Sequence, residues 1–295
     1  MGERKNISLI ISAGKGCFTV CKGCYQSFGH RTVTTESLIT FIKQYKDYFN
    51  INKVTLSGGD PLSRTDIVSF VNSLFNLGLS INLDTVGLPF IKAVRTVFHQ
   101  NELISRIDPN SIIDKICCIG IPLDGFDTAS IRYFRKGITL EEIISIISIL
   151  NDNKANICIN TVVHKHNLYE LFSIWNLIKG FDHVGKWQLF QFTPIGINGY
   201  KNRKCFEISE VQFEEVCQGL IDRIGDCSVV IEKKSNSFRK LAYVLVDCEG
   251  RVWQPKCNKS TTDFTQTDIS PDIKIIGSIS DRDIMIKIES ELIDH

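Results

Sequence analysis

The 295-residue sequence has no long apolar run and almost no surplus of charge. No segment approaches the ~20 consecutive apolar residues that cross a bilayer. The apolar run near the N-terminus is too short for a signal peptide. Lysine and arginine number 34 against 33 acidic residues, a net charge of +1, which gives no argument for a DNA or membrane-surface partner. The eleven cysteines are an odd number and too sparse for a secreted disulfide scaffold, so a reducing cytoplasm is the expected compartment. No internal repeat, low-complexity tract or clear linker interrupts the chain. The 43% hydrophobic content suffices for a sizeable core, either one large α/β barrel or two ordinary domains.

What the sequence does have is a loop, residues 13–30, carrying Cys17-x3-Cys21-x2-Cys24 directly after the apolar run Ile7–Ile11. Thiolates this close in one loop converge on a single metal centre. Three is one short of the four that close a tetrahedral zinc site or complete an ordinary [4Fe–4S] site. A three-thiolate cube leaves one iron open to a substrate or cosubstrate. A zinc site that borrows a fourth ligand such as His30 is the alternative. Gly14, Gly16 and Gly23 let backbone pass close to such a centre.

Short β-rich runs then alternate with helical patterns. Strands are expected at Ile7–Ile11, Lys53–Leu56, Leu79–Leu83, Lys115–Ile121, Asn156–Val163 and Trp187–Phe192. Helices are expected at Thr34–Phe49, Ser63–Leu77, Pro89–His99, Thr139–Asn151, Leu168–Lys179 and Ser209–Ile224, with Thr139 and Glu142 forming a capping box. Serial strand–helix units with long crossovers argue a parallel sheet. Six units fall short of the eight of a closed barrel, so the expected fold is an α/β, open partial (β/α)6 TIM-like barrel. Its active face would be the loops at the carboxyl ends of the strands. After residue 225 the pattern changes to short strands at Val229–Glu232, Ala242–Val246 and Val252–Gln254. A polar loop follows at 258–272, and the tail from Ile273 holds a strand and a final helix. The expected division is a barrel over 1–225 and a C-terminal extension over 226–295 that covers it.

Chemistry-bearing motifs fall at those strand ends. Ser57-Gly58-Gly59-Asp60 ends the second strand, where two glycines admit close backbone approach and Asp60 adds a carboxylate. By itself that segment also reads as a glycine turn with an N-cap aspartate. Asp84 ends the third strand, Asp124 and then Arg135-Lys136-Gly137 follow the fourth, Asn160 ends the fifth and Gln191 the sixth. Arg135 also reads as a surface arginine, and Asn160 as a partner of local backbone.

Cys-x3-Cys-x2-Cys after a first strand resembles the radical S-adenosylmethionine (radical SAM) enzymes, and the pattern is closest to viperin-like and molybdenum-cofactor-type members. The resemblance covers roughly residues 7–255. It implies a [4Fe–4S] cluster held by Cys17, Cys21 and Cys24, with SAM on the fourth iron. It assigns Ser57 through Asp60 to the GGE-type motif at the SAM amino group, with Asp60 in place of glutamate. Asp84 lies in a segment like the LDTNG stretch of glycyl-radical activases, and Asp124 in a segment like the S-x-D-G stretch, with Pro122 where serine is common. Arg135 is implied near the SAM carboxylate, which a guanidinium fork suits, and Asn160 and Gln191 near the ribose or substrate. The family's usual aromatic before the third cysteine is absent: Gly23 stands there, and Tyr25 follows the cysteine instead.

The implied activity is reductive cleavage of SAM to methionine and a 5′-deoxyadenosyl radical, which takes hydrogen from a small-molecule or nucleotide-like substrate. An external flavodoxin or ferredoxin would supply the electron. Modification of a short ribosomal peptide and activation of a glycyl-radical enzyme are alternatives within the family. A zinc-binding or redox-sensing barrel is the alternative outside enzymes. Viperin-like members place basic residues near strands five and six, where this sequence has Cys158 and Lys186. Cys117, Cys118 and Cys158 read as small core residues. Cys205, Cys217, Cys227, Cys248 and Cys257 contain no close pair of the kind that holds a second cluster. His164 and His166 read as surface histidines.

Overall fold

The structure is a computed structural model that describes residues 8–26, 33–98, 101–237, 243–255 and 273–293. Strands form where fully buried residues alternate with half-exposed ones, the period-2 signature of a sheet covered on one face. In β1 (Ser8–Ser12), β2 (Lys53–Ser57) and β3 (Ser80–Asp84) the buried set is Leu9, Ile11, Val54, Leu56, Ile81 and Leu83. The alternation recurs in the later parts of β5 (Ile157–Val163) and β6 (Val184–Gln191), whereas β4 (Ile116–Pro122) buries three residues in succession, Ile119 to Ile121. These buried positions share one core with the apolar faces of the helices α1 (Thr35–Phe49), α2 (Ile67–Asn76), α3 (Thr128–Phe134), α4 (Leu140–Asp152), α5 (Leu171–Ile178) and α6 (Glu210–Ile224). Helices therefore cover one face of the sheet. The other face carries the half-exposed set, which is largely polar.

The chain continues through β7 (Val230–Lys234), β8 (Tyr243–Val246), β9 (Arg251–Pro255), β10 (Ile273–Ser278) and α7 (Ile284–Ile293). Ten strands form one sheet in the order β7-β6-β5-β4-β3-β2-β1-β8-β9-β10. Every pairing from β7 to β8 is parallel, and β9 and β10 are antiparallel. The two ends of this order do not meet, so the sheet stays open, as the unit count predicts. Residues beyond 225 enter the same sheet on both flanks. β7 extends it beside β6, and β8 lies parallel beside β1. The polar loop expected at 258–272 lies outside the described residues.

Caps fix the helix starts. Thr34 accepts from the Ser37 N–H, and Thr139 with Glu142 and Ser209 with Gln212 form reciprocal capping boxes. The sequence reading errs between β3 and β4. The helix expected over Pro89–His99 is only the turn Leu88–Ile91. β-Branched Val94, Thr96 and Val97 favour extended backbone, and Val94–Arg95 pairs with Leu103–Ile104. The Val97 N–H then donates to the Cys17 carbonyl, and Phe98 bridges Cys17, so this segment flanks the cysteine loop. The sequence reading also lacked α3, a short helix that Asp127 and Ser130 cap reciprocally. Among the described residues no helix is long and apolar enough to cross a membrane.

Thr139→Ala removes the oxygen that accepts from Glu142 N. It is expected to lower stability by about 1 kcal/mol, read as a lower urea midpoint at unchanged slope.

Candidate active site

The cysteine loop leaves β1 and is laid flat on the turn that follows β2. Asp60 N–H donates to the Gly16 carbonyl at 2.6 Å, and Ala13 N–H to the Ser57 carbonyl at 2.9 Å. The Ser63 hydroxyl donates to the Gly16 carbonyl at 3.2 Å and accepts from Gly16 N–H at 3.3 Å. This contact is between backbones, and glycine makes it possible. A Cβ on Gly59 would stand 2.3 Å from the Gly14 carbonyl oxygen, and one on Gly14 would stand 2.0 Å from that of Asp60. Gly58 adopts φ +74°, a left-handed conformation that favours glycine.

On this platform Cys17, Cys21 and Cys24 are half-buried. The Thr19 hydroxyl lies 3.7 Å from the sulfurs of both Cys17 and Cys21. Burial pushes the Cys17 thiol up to about 11, with Asp60 and Cys21 adding to it, and pushes Cys24 up to about 12, with Cys21 and Cys17 adding. Burial also raises Cys21, against the pull of Arg135. Cys21 raises both Cys17 and Cys24, and Cys17 raises Cys24, so the three thiols lie within electrostatic reach of one another, and a bound cation is what lets them ionise together. Among the described residues no three His, Cys, Asp or Glu side chains converge on a single ion position. A cluster is held corner by corner and does not require that. His30, the alternative fourth ligand, lies outside the described residues. The donor set fits an iron–sulfur cluster.

Gly23 does not leave a gap where relatives carry an aromatic. A Cβ there would meet Phe192 at 2.6 Å and Phe134 at 2.7 Å. Phe134 from α3 and Phe192 after β6 pack edge-on with ring centroids 6.3 Å apart, so distant elements supply the aromatic cover. Tyr25 turns the other way: its ring lies 6.1 Å from that of Trp253, and its side chain bonds those of Gln26 and Ser57. Gln26 Nε2 donates to Ser12 Oγ at 2.6 Å.

The carboxylates at the strand ends have distinct partners. Asp60 is buried and accepts from Leu62 N–H, the Thr85 hydroxyl and Val86 N–H at 2.9, 2.7 and 2.8 Å, tying the end of β2 to the end of β3. Asp124 accepts from Val162 N–H at 2.9 Å and pairs with Arg135 at 2.8 Å. Arg135 in turn donates to Cys21 Sγ at 3.0 Å; its side chain is only 13% exposed, so it is not a surface residue. Asp84 and Asn160 meet across β4, Nδ2 donating to Oδ1 at 3.1 Å, because Gly120 between them has no side chain. Burial pushes the Asp84 carboxyl up to about 6, although Asn160 and Lys53 pull it down. Gln191 faces the helices with Trp187 and Leu189. Its amide donates to the Ile208 carbonyl and accepts from Asn236 N–H. The structure therefore brings together Cys17, Cys21, Cys24, Tyr25, Ser57, Gly58, Gly59, Asp60, Asp124 and Arg135 around the loop, with Asp84 and Asn160 on the uncovered face. It leaves Gln191 on the far side of the sheet.

Two cysteine readings and one histidine reading change. Cys117 is exposed and Cys118 is half-buried. The buried Cys158 donates through Sγ to Asn160 Oδ1 at 3.5 Å. His164 is 1% exposed, enclosed by Phe134 and Phe206, whereas His166 is exposed. Further along this face Glu232 binds Lys186 at 2.8 Å, Lys234 at 2.9 Å and Gln188 Nε2 at 2.9 Å. The sequence reading missed Glu232 and Gln188. The alternation of Lys186, Gln188 and Phe190 against Trp187 and Leu189 is the signal that would have found Gln188.

The family model of the radical SAM superfamily matches residues 11–172, more than half of the chain. The chain belongs to the radical SAM superfamily. Its relatives include the molybdenum cofactor biosynthesis protein moc-5 of Caenorhabditis elegans, 23% identical over 258 residues. That match covers 85% of this chain and 40% of the worm protein. Among solved structures, Streptococcus suis SuiB bound to precursor peptide SuiA is 14% identical at TM-score 0.66, covering 84% of this chain and 59% of SuiB. The enzyme anSMEcpe with bound AdoMet is 16% identical at TM-score 0.63, covering 96% of this chain and 82% of anSMEcpe. These likenesses share the open, parallel-dominated fold. As a radical SAM enzyme the chain uses a [4Fe–4S] cluster and SAM, and Cys17, Cys21 and Cys24 form the donor set that fits the cluster.

Two predictions follow from this geometry. Gly59→Ala forces its Cβ against the Gly14 and Gly16 carbonyls. It should cost about 1–3 kcal/mol and lower the iron bound per chain after reconstitution. The folded-state pKa of Asp84 lies above its ordinary 3.8, so the fold favours the protonated form. That contribution is full below about pH 4 and is lost as pH rises through about 6. Asp84→Asn should therefore gain about 1–3 kcal/mol on the wild type at pH 7.5 relative to pH 4, read from urea melts at both pH values.

Proposed function

We propose that the chain cleaves SAM reductively and abstracts hydrogen from a small polar substrate held on the uncovered face of the sheet. The observation that supports this reading is the polar set on the uncovered face: Asp84 bonded to Asn160, then Lys186 and Lys234 sharing Glu232. Two ammonium groups set against two carboxylates, Glu232 and Asp84, suit a neutral or zwitterionic substrate. A polyphosphate would require a ring of unshared cations. When bound, the cluster and SAM supply a carbon-centred radical able to take hydrogen from a substrate C–H.

The chain's own residues prepare that chemistry. Cys17, Cys21 and Cys24 release their protons as the irons are bound. The half-buried backbone of Gly58 and Gly59, together with the Ser57 and Tyr25 hydroxyls, forms the surface that would receive SAM. Asp84, poised near pH 6, can donate to or accept from a ribose or substrate hydroxyl, with Asn160 fixing its orientation. Phe134 and Phe192 exclude water from the loop. An external one-electron donor of the flavodoxin or ferredoxin type would complete the cycle. A second reading, a short peptide substrate, draws on the peptides bound to SuiB and anSMEcpe; it would occupy the same face.

Anaerobic reconstitution with iron and sulfide, followed by dithionite and SAM, should yield 5′-deoxyadenosine by chromatography. The combined change Cys17→Ala, Cys21→Ala, Cys24→Ala should abolish it. A wild-type protein that assembles no cluster would overturn the reading. Enhanced turnover with small polar compounds or with short peptides then separates the two substrate classes.

A further inference from the structure

Arg135 is fixed to the cysteine loop by its backbone as well as by its side chain. Cys21 and Arg135 are register partners in a two-residue antiparallel ladder, and Lys22 N–H donates to the Phe134 carbonyl at 2.9 Å. From that anchor the guanidinium divides its donors. Nη1 reaches Cys21 Sγ at 3.0 Å, while Nε and Nη2 hold Asp124 at 2.9 and 2.8 Å. Asp124 is itself pinned from β5, accepting Val162 N–H at 2.9 Å, and its carbonyl accepts from Asn167 Nδ2 at 2.9 Å. The Asp124 side chain is 0% exposed and that of Arg135 13%, so water screens the relay little. The family resemblance assigns this arginine to the SAM carboxylate. Here its charge is aimed at a sulfur that ligates the cluster.

We propose that Arg135 is a positioning residue that sets the reduction potential of the cluster through Cys21, and that Asp124 limits how much of its charge the sulfur receives. The inference rests on Cys17, Cys21 and Cys24 as cluster ligands. One-electron reduction adds negative charge and no proton. A charged donor on a ligating sulfur stabilises the added charge and raises the potential. An adjacent carboxylate opposes it. The two members of the pair therefore act in opposite directions, a signature that loop packing alone does not produce.

The test is a mediated potentiometric titration of reconstituted protein without SAM, following the reduced cluster by electron paramagnetic resonance, with iron and sulfide measured per chain. Arg135→Gln is expected to lower the reduced-to-oxidised ratio at a fixed potential about tenfold, equivalent to a midpoint about 59 mV more negative for a one-electron couple. Asp124→Asn is expected to shift the midpoint the other way, and Arg135→Lys to fall between wild type and Arg135→Gln. If Arg135→Gln fails to hold the cluster, Asp124→Asn and Arg135→Lys carry the test, and an unshifted midpoint in Asp124→Asn overturns the proposal. Midpoints that move in the same direction in Arg135→Gln and Asp124→Asn also overturn it. So does an unchanged midpoint in Arg135→Gln accompanied by weaker SAM binding in equilibrium dialysis, which would make Arg135 a SAM-carboxylate ligand. A wild-type chain that assembles no cluster overturns the cluster reading itself; a loaded wild type with unmoved variants overturns only the role of Arg135.

Discussion

The site depends on two stretches of main chain lying closer together than side chains permit. Residues 14–16 rest on residues 59–60, with Asp60 N–H bonded to the Gly16 carbonyl and glycine on both sides of the contact. Each stretch continues a parallel strand, and β1 and β2 are neighbours in register. The sheet thus fixes the distance between the loop that carries the thiols and the turn that carries the open backbone. Burial of the thiols follows from the same contact, because a loop pressed onto the sheet end admits little water. Their resistance to ionisation follows from burial, and with it the need for a bound cation.

The acidic residues at the strand ends divide the work of holding this arrangement. Asp60 braces the site from below, linking β2 to β3 through Thr85 and Val86. Asp124 braces it from the side, through Arg135 and β5. Asp84 alone looks onto the uncovered face, paired with a neutral amide and shifted toward the protonated form. A buried carboxylate with backbone donors serves the structure; one with a single side-chain partner on an accessible face is available to a ligand. Three residues of one type at corresponding strand ends therefore differ by environment.

Much of this was legible in the sequence, for identifiable reasons. Period-2 and period-3.6 patterns are local, and so are caps, which is why Thr34, Thr139 and Ser209 were read correctly as helix starts. The cysteine spacing and the strand-end glycines are local as well. What sequence could not supply was pairing across the sheet. Arg135 was seen as a SAM contact, yet its partner Cys21 lies 114 residues away. Gln191 was grouped with Asn160 because both end strands, but it belongs to the opposite face of β6, where Trp187 and Leu189 point. The 89–99 stretch was read as helical from its apolar content, when its backbone partner is the Cys17 carbonyl.

Gly23 has a consequence for how the site is made. The aromatic cover of the loop comes from Phe134 and Phe192, not from the loop itself. A ribosome adds about 5–20 residues per second, so Phe192 is made on the order of ten to thirty seconds after Cys24. β8, the partner that flanks β1 on its free side, is made later still. During that interval the three thiols are tethered near the start of the chain with neither their shield nor their second neighbouring strand. The loop is thus open to iron delivery, and to air oxidation, until the last parallel strand is in place.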